Sequence, residues 1–561
     1  MSSTFMGLET SKRGLTTQQT ALYTVGHNIS NANTDGYSRQ RVNMEATNGF
    51  PGVGMNAPKV PGYLGTGVQA GSITRIRDQF IDNQYRQETT KLGYWSAKSD
   101  AVSQMEDVLS EPSEYGLNKA FDNFYASLQD LSAKPESAAT RAVVAQRGEH
   151  LADSFNYIST QLTQIQTNLK NEISTESGKV NSIIKQIAAL NQQIGNVEPN
   201  GYLPNDLYDA RDSLLDQLSE YFNVTVDYTK SGGNALDIAE GSMNVYIKLD
   251  DGSKVQVVNK DKGATLTANG YNPDVVDATT KEVKSYKHSA FDGSDNYSAF
   301  TDFTINMGGA TSTISYDQFD NVGSGKMASL INSYGYATQT TDTWDAGTNE
   351  WKATVDLTAG GKVLSDGLYP DKLGELNVLA QKFAEEFNKL HTAGFTLGEG
   401  ATTSTNGANF FVDIDGNGTA GNNKITAANI KVNSTILGNN NLIAASTGLS
   451  EEGNGKQAIL LSNLKTTTIA GLNNASAQTY YEGLIGDLGV QGQQATTMEY
   501  NSTTIQLTIS NNRASVSSVS LDEEMTNMIT FQQAYNASAR MITVVDETLD
   551  KIINGMGRVG L

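Results

Sequence analysis

The sequence has no cysteine in 561 residues. That absence excludes disulfides, thiolate metal sites and cysteine nucleophiles together. A reducing cytoplasm fits it, and so does export of an unfolded chain to the outside; cysteine usage alone does not choose between them. No apolar run approaches the ~20 residues that a membrane-spanning helix needs, so membrane insertion is not expected. The opening MSSTFMGLETSKRG has no continuous apolar segment of the kind a cleaved signal peptide carries. Positive charge is also short: 40 Lys and Arg stand against 61 Asp and Glu, a formal net charge of −21. A phosphate backbone calls for a basic surface, so nucleic acid is not an expected partner. The four histidines, His27, His150, His288 and His391, are scattered and form no metal-binding pair.

Motifs that could carry chemistry fail on their own requirements. Asp413-Ile414-Asp415-Gly416-Asn417-Gly418 starts like a calcium loop, but Lys424 stands at the twelfth position where a Glu ligand is needed. Gly455-Lys456 has Ser450 in place of the first glycine of a phosphate loop and Gln457 in place of the magnesium-binding hydroxyl. Gly65, Gly67 and Gly71 are wrongly spaced for a dinucleotide fingerprint. No nucleophile with an attendant base is recognisable. The expectation is a protein that is not an enzyme and that has no cofactor or metal.

What the chain does have is long helical periodicity at both ends. Near the start, Phe5, Leu8, Leu15, Leu22, Val25 and Ile29 fall at helical spacings along one narrow seam. Gly7, Gly14 and Gly26 lie within it, each costing a helix interior roughly 1 kcal/mol against Ala. Such a helix is marginal alone and calls for a partner. At the other end Met528, Phe531, Tyr535, Ser538, Ile542, Val545, Leu549, Ile552 and Met556 alternate at intervals of three and four. Ser520-Leu521-Asp522-Glu523 fits a capping box at the start of that helix. Residues 1–77 carry seven basic against three acidic side chains, and 521–561 carry six acidic against three basic, so the two ends are complementary in charge.

Between the ends, Leu117, Phe121, Phe124, Leu128 and Leu131 keep one stripe, and a second helix opening at Pro135 runs to Asn200-Gly201. Sixty residues at the 1.5 Å helical rise make a rod about 90 Å long. Residues 226–365 change character, with short alternating runs such as Val245-Tyr246-Ile247-Lys248-Leu249 before Asp250-Asp251-Gly252. Helix returns at Leu373, Leu376, Leu379, Phe383, Phe387 and Leu390. Leu484, Leu488, Ala495, Met498, Ile505, Ile509, Val516 and Val519 mark another helical register, closed by the serine-rich 515–520. The expected fold is multidomain α+β, with coiled-coil-like helices from both termini forming a frame around an inserted, mainly β domain. The expected division is 1–75 with 515–561 as a terminal core, 76–225 with 366–514 as a long-helix bundle, and 226–365 as the insert. The stretch 395–445 is left open between loop and a small β unit.

The stretch His27-Asn28-Ile29-Ser30-Asn31-Ala32-Asn33-Thr34-Asp35-Gly36-Tyr37-Ser38-Arg39-Gln40 resembles the N-terminal signature of the bacterial flagellar axial proteins, the rod, hook and hook-associated proteins. That family usually has Pro where this chain has Asp35. The segment 515–525, and Phe531-Gln532-Gln533-Ala534-Tyr535-Asn536-Ala537-Ser538-Ala539-Arg540 after it, are similar to the hook-associated members at their C-terminal end. Residues 205–219 (NDLYDARDSLLDQLS) and 383–394 (FAEEFNKLHTAG) are similar to internal segments of the same members. The resemblance covers roughly 1–225 and 370–561.

The resemblance implies a structural protein at the junction of hook and filament, self-assembled as a ring, with paired terminal helices lining the axial tube. It assigns the family signature to Asn31, Asn33, Thr34, Gly36, Tyr37, Arg39, Gln532, Gln533, Ala534 and Tyr535. The implied partners are other copies of the chain, hook protein, a second hook–filament junction protein and a flagellar export chaperone. It also implies export through the flagellar apparatus without a cleaved signal peptide, to the outside of the cell. A free apolar seam is buried only on assembly, so both ends are expected to be disordered in the monomer. The alternatives are another axial component, such as a hook protein, cap or flagellin, and a secreted adhesin or enzyme acting through 226–365.

Overall fold

The computed structural model describes residues 5–50, 65–109, 116–276, 283–291, 299–337, 342–345, 350–353, 365–397, 404–413 and 425–555. Helix α1 (Phe5–Ser30) leads into a hairpin of β1 (Gln40–Ala46) and β2 (Val68–Arg75). Then come α2 (Gln79–Leu109), α3 (Leu117–Ala133), α4 (Ala138–Val197) and α5 (Asn205–Tyr221). The 60 residues of α4 form the spine of the body. Its buried stripe, among others Leu151, Phe155, Leu162, Ile173, Val180 and Ile187, meets α3 at one end and the sheets at the other. Pro135 does not open this helix as the sequence reading had it. Ser137 does, its side-chain oxygen accepting from the Thr140 N–H, while Pro135 stays outside and its carbonyl accepts from Arg141 Nε at 2.7 Å.

The β region starts at Val224 and holds two sheets. Strands β3 (Val224–Thr229), β4 (Ser242–Lys248), β5 (Lys254–Asn259) and β6 (Lys262–Gly263) form an antiparallel set in that order. The second sheet contains β7 (Thr265–Val276), β8 (Val283–Ala290), β9 (Ala299–Met307), β10 (Ala310–Ser315), β11 (Tyr336–Ala337), β12 (Asp342–Asp345), β13 (Glu350–Ala353) and β14 (Ser365–Asp366). Its path is β12-β13-β8-β7-β9-β11-β14, with β10 paired to β9. The insert is not purely strand: α6 (Lys326–Tyr334) crosses it and buries Met327, Leu330, Ile331 and Tyr334 against α2 and α4.

The chain then returns through α7 (Leu368–Ala393), the short pairing of β15 (Phe411–Val412) with β16 (Lys431–Val432), α8 (Ser434–Gly438), α9 (Lys456–Asn463), α10 (Ala477–Ser517) and α11 (Leu521–Gly555). Within 395–445 the structure gives that two-residue pairing, turns and one short helix; the candidate calcium loop lies almost wholly outside the described residues. Phe121, Phe124, Phe155, Phe383, Phe387, Phe410 and Phe411 stack edge to face in the centre of the body, Phe121 and Phe383 at 5.0 Å. His391 is fully buried beside them. Its Nε2 accepts from the Ala444 N–H and its Nδ1 donates to the Ala408 carbonyl, and burial pushes its pKa down to about 4.

Helix α10 packs antiparallel on α2, with Gly492 against Val102, Gln506 Nε2 donating to Thr89 Oγ1 at 3.0 Å, and Arg513 on Asp82 at 2.8 Å. The sequence register for α10 holds at Leu484, Leu488 and Ala495, which are buried, and holds only in part beyond them, where Ile509 and Val519 are half-buried. Met498, Ile505 and Val516 face solvent, because the line toward α2 continues instead through Ser502, Gln506 and Arg513. The contiguous apolar core draws its buried members from Tyr94 to Leu488. The terminal helices and the hairpin lie outside it.

Candidate functional site: the terminal helix pair and its joint

Helices α1 and α11 run antiparallel along one another. A Cβ on Gly7 would stand 3.6 Å from Val545, and one on Gly14 would stand 3.2 Å from Ser538 Oγ. Further along, Asn28 Nδ2 donates to Glu524 Oε2 at 3.1 Å. Each heptad forward on α1 matches a heptad back on α11, so the register is constant, and the buried Ala21 falls level with Phe531. Glycine and alanine on this line leave room for the larger residues of α11. Gly7 and Gly14, two of the three glycines that weaken α1 as an isolated helix, are thus what lets its partner approach, while Gly26 faces open space.

The apolar seam flanks this line. Leu8, Leu15, Leu22 and Ile29 sit one residue on from Gly7, Gly14, Ala21 and Asn28 and are half-buried, while Val25 is buried and Phe5 is exposed. On α11, Met528, Phe531, Tyr535, Ile542, Val545 and Leu549 are half-buried and Ile552 is exposed; Met556 lies outside the described residues. One partner helix covers one side only. Met525, Ile529, Met541 and Val544 of α11 remain exposed, as do Ile505 and Leu507 of α10.

The stretch 31–40 is where α1 ends and the chain turns onto the body. Asn31 Nδ2 donates to the His27 carbonyl, Thr34 Oγ1 donates to Asn31 Oδ1, and the Tyr37 N–H closes a turn on the Thr34 carbonyl. Gly36 occupies the third place of that turn with φ +78°, a conformation that favours glycine, and faces Ser213 of α5. Tyr37 Oη donates to Asn28 Oδ1. Asn33, Gln532 and Gln533 are exposed, and Ala534 is half-buried. Arg39 reaches the other terminus: Nε donates to Glu524 at 2.8 Å and the two terminal nitrogens to Glu523 at 2.6 and 2.9 Å. The carboxylate of Glu523, expected in a capping box, is engaged there instead. Of the basic residues in 1–77, Arg39 is the one whose described contacts reach the acidic C-terminal segment; the paired charges are concentrated at this point.

Arg75 and Arg77 serve a different set of acids. Asp209, Asp212 and Asp216 project from one face of α5, and around them gather Arg75, Arg77, Arg86 and Arg513. Arg75 binds Asp209 at 2.7 Å, Asp212 at 2.9 Å and also Glu240. Arg77 binds Asp82 and Asp212, Arg86 binds Asp216 and Asp212, and Arg513 bridges Asp82 and Asp216. Burial alone would raise the Asp212 carboxyl; Arg77, then Arg75, Arg86 and Arg211, overcome it and hold its pKa at about 2. The sequence reading missed these arginines and acids as a site. Their signal was the 209, 212, 216 spacing, which sets three carboxylates on one helical face.

In the β region, His288, Thr301 and Asp302 come together, which composition did not reveal. The Thr301 hydroxyl (3.0 Å) and the Asp302 carboxylate (2.6 Å) both meet the imidazole at Nε2. These contacts tie β8 to β9 across β7. Among the described residues no three His, Asp or Glu side chains gather in a manner that would hold a metal, and no helix is long and apolar enough to cross a membrane.

The same segments carry the relationship to known proteins. Residues 102–411 match the helical domain of flagellar hook-associated protein FlgK. Residues 8–37 match flagella basal body rod proteins and 511–555 match the C-terminal region of the FlgEFG rod proteins, which are the two halves of the terminal pair. Flagellar hook-associated protein 1 of Bacillus subtilis is 41% identical over 561 residues, covering 99% of each chain. The chain belongs to the flagellar hook-associated protein 1 family. The proteins of that name from Salmonella typhimurium and Escherichia coli are 26% identical over 96% of this chain and 98% of their own. The fold is also that of the flagellar hook junction protein FlgK from Burkholderia pseudomallei, with a TM-score of 0.51 at 14% identity, over 77% of this chain and all of that one. Family membership makes the chain a structural component of the flagellum that works among other axial proteins.

Proposed function

We propose that this chain joins hook to filament, as a ring of copies in the flagellar axis whose terminal helix pairs line the tube. The observation that carries this reading is the α1–α11 pair: a fixed antiparallel register with uncovered apolar residues along both flanks. Exposed stripes of this length are what neighbouring copies and adjoining axial proteins would bury. Contacts follow with hook protein on one side and a second junction protein on the other, and with an export chaperone before secretion. The chain leaves the cell through the flagellar apparatus and performs no catalysis. Deleting the gene tests the reading: finished hooks without filaments, with flagellin lost to the medium, are expected. Normal filaments on normal hooks would overturn it.

The seams Phe5, Leu8, Leu15, Leu22, Val25, Ile29 and Met528, Phe531, Tyr535, Ile542, Val545, Leu549, Ile552, Met556 act in assembly. Burial at ~25 cal/mol per Å² then adds stability that the free chain lacks. Amide exchange across 5–29 and 528–555 is expected to be fast in the dilute monomer and strongly slowed in isolated flagella. Full protection in the monomer would show that the pair folds without neighbours.

A further inference from the structure

The terminal unit, made of α1, the β1–β2 hairpin and α11, is attached to the body in an unusual way. The chain passes between them at two places only, residues 76–78 after β2 and residues 518–520 between α10 and α11. None of the unit's described residues belongs to the apolar core that runs from Tyr94 to Leu488. The described ties across the joint are hydrogen bonds, ion pairs and the Arg75 guanidinium over the Tyr208 ring.

Arg39 touches both crossings. Its N–H donates to the Ser517 carbonyl at 2.9 Å, and its carbonyl accepts from the Ile76 N–H at 2.9 Å. Its side chain is fixed to Glu523 and Glu524 at the start of α11. Next to the crossings lies the buried ion network of Arg75, Arg77 and Arg513 with Asp82, Asp209, Asp212 and Asp216. Beside it the Ser38 N–H donates to Asp209 and Asn205 Nδ2 donates to the Ile73 carbonyl and to Gln40 Oε1; beyond these, toward α1, the ties become exposed. Asp206 accepts from Gln40 Nε2 at 2.8 Å and faces His27 Nε2 at 3.2 Å, and its side chain is 64% exposed.

Room for movement lies on both sides of the 31–37 turn. A cavity of about 650 Å³ lies between His27, Tyr37, Leu190 and Leu214. One of about 730 Å³ lies between Gly36, Tyr85, Glu220 and Ser518. A body held at two points turns about the line through them. Exposed polar ties off that line are weak and screened by salt, whereas an interdigitated apolar face would resist rotation.

We propose that the terminal rod swings on the body about the line through its two chain crossings, with Arg39 as the pivot, the buried ion network as the bearing and the Asp206 contacts as a releasable latch. Such a device lets one piece meet two neighbours whose axes are not aligned.

The test uses the full chain, purified, with the rod stapled shut. A Cβ on Gly14 would lie 3.9 Å from that of Ser538, within the disulfide range, so Gly14→Cys with Ser538→Cys fixes α1 to α11 in a protein that has no other cysteine. Tyr23 on α1 and Tyr157 on α4 are exposed and accept azidophenylalanine for a donor and an acceptor dye. Single-molecule energy transfer is then read in about 50 mM and about 1 M salt, the higher of which cuts the screening length to ~3 Å. One narrow distance is expected at low salt. A second distance, or clear broadening, is expected at high salt and, at low salt, in Asp206→Ala. An unchanged narrow distribution in all three samples would make the joint rigid and overturn the proposal. A broad distribution already present at low salt in the stapled protein with Asp206 intact would overturn the latch.

Discussion

Arg75→Met is expected to destabilise the protein by about 3–5 kcal/mol, the cost of removing one partner from a buried ionic cluster. Arg75 is buried, with its guanidinium between Asp209, Asp212 and Glu240 and over the ring of Tyr208. Methionine fills much of the volume and leaves three carboxylates with less positive charge among them. Arg77, Arg86 and Arg211 stay in place, which keeps the loss from being larger. Adding Asp212→Asn to Arg75→Met is expected to recover part of the stability, since it removes one of the stranded charges. Denaturant unfolding measures both variants; a loss under about 1 kcal/mol for Arg75→Met, the range of an exposed pair, would contradict the account.

The pH dependence carries the same information. Asp212 is held below the usual carboxylate value, at about 2, so the unfolded chain binds its proton more readily than the folded one. Its contribution is present above pH 3.8 and is lost as pH falls toward 2, on the order of 2 kcal/mol in all. Acid unfolding of the unsubstituted protein should steepen in that window, and the steepening should be reduced in Asp212→Asn.

Gly14→Leu is expected to abolish filament attachment and motility, whereas Gly26→Ala is expected to leave both intact. Both changes favour helix by up to roughly 1 kcal/mol in propensity, so the difference between them isolates packing. At Gly14 even a Cβ would stand 3.2 Å from Ser538 Oγ, and the rest of a leucine side chain would force α11 away over adjacent turns. At Gly26 no atom lies within 4 Å of the added carbon. Gly14→Ala combined with Ser538→Ala is expected to behave as the parent, because the nearest remaining atom of residue 538 is its Cβ at 3.9 Å. Swimming and filament counts in the corresponding strains decide the matter; full motility of Gly14→Leu would mean that the helices are not packed along this line.

Much of this architecture was legible in the sequence because long helices repeat their apolar positions many times. The stripe of α4 is read over some sixteen turns at 3.6 residues each, and a single polar interruption does not hide it. Helix α2 was not legible. Its first half buries Asp82, Arg86, Glu88, Thr89, Thr90 and Gly93 and so carries little hydrophobic contrast, and the apolar run of Val102, Met105 and Leu109 comes only in its last turns. The β1–β2 hairpin was missed for a related reason: its strands are polar and largely unburied, as in Gln69, Asn43 and Arg41. In the terminal pair the larger apolar residues marked the correct faces, but the line that faces α11 runs through Gly7, Gly14 and the buried Ala21. Hydrophobicity does not detect a line of small residues. The ionic joint was invisible as a unit because its members are spread from Arg39 to Glu524, and sequence spacing does not report tertiary neighbours.

The most direct test of the terminal pair is cross-linking in assembled flagella. Gly14→Cys with Ser538→Cys places two thiols at the observed register, and Gly14→Cys with Val545→Cys places them one heptad apart along the same face. Isolated flagella from each strain are oxidised and run on a denaturing gel without reductant. The account predicts a fast-migrating, internally closed chain in high yield for the first pair and little or none for the second. Equal yields, or no closure of the first pair, would show that the first and last helices do not meet in this register.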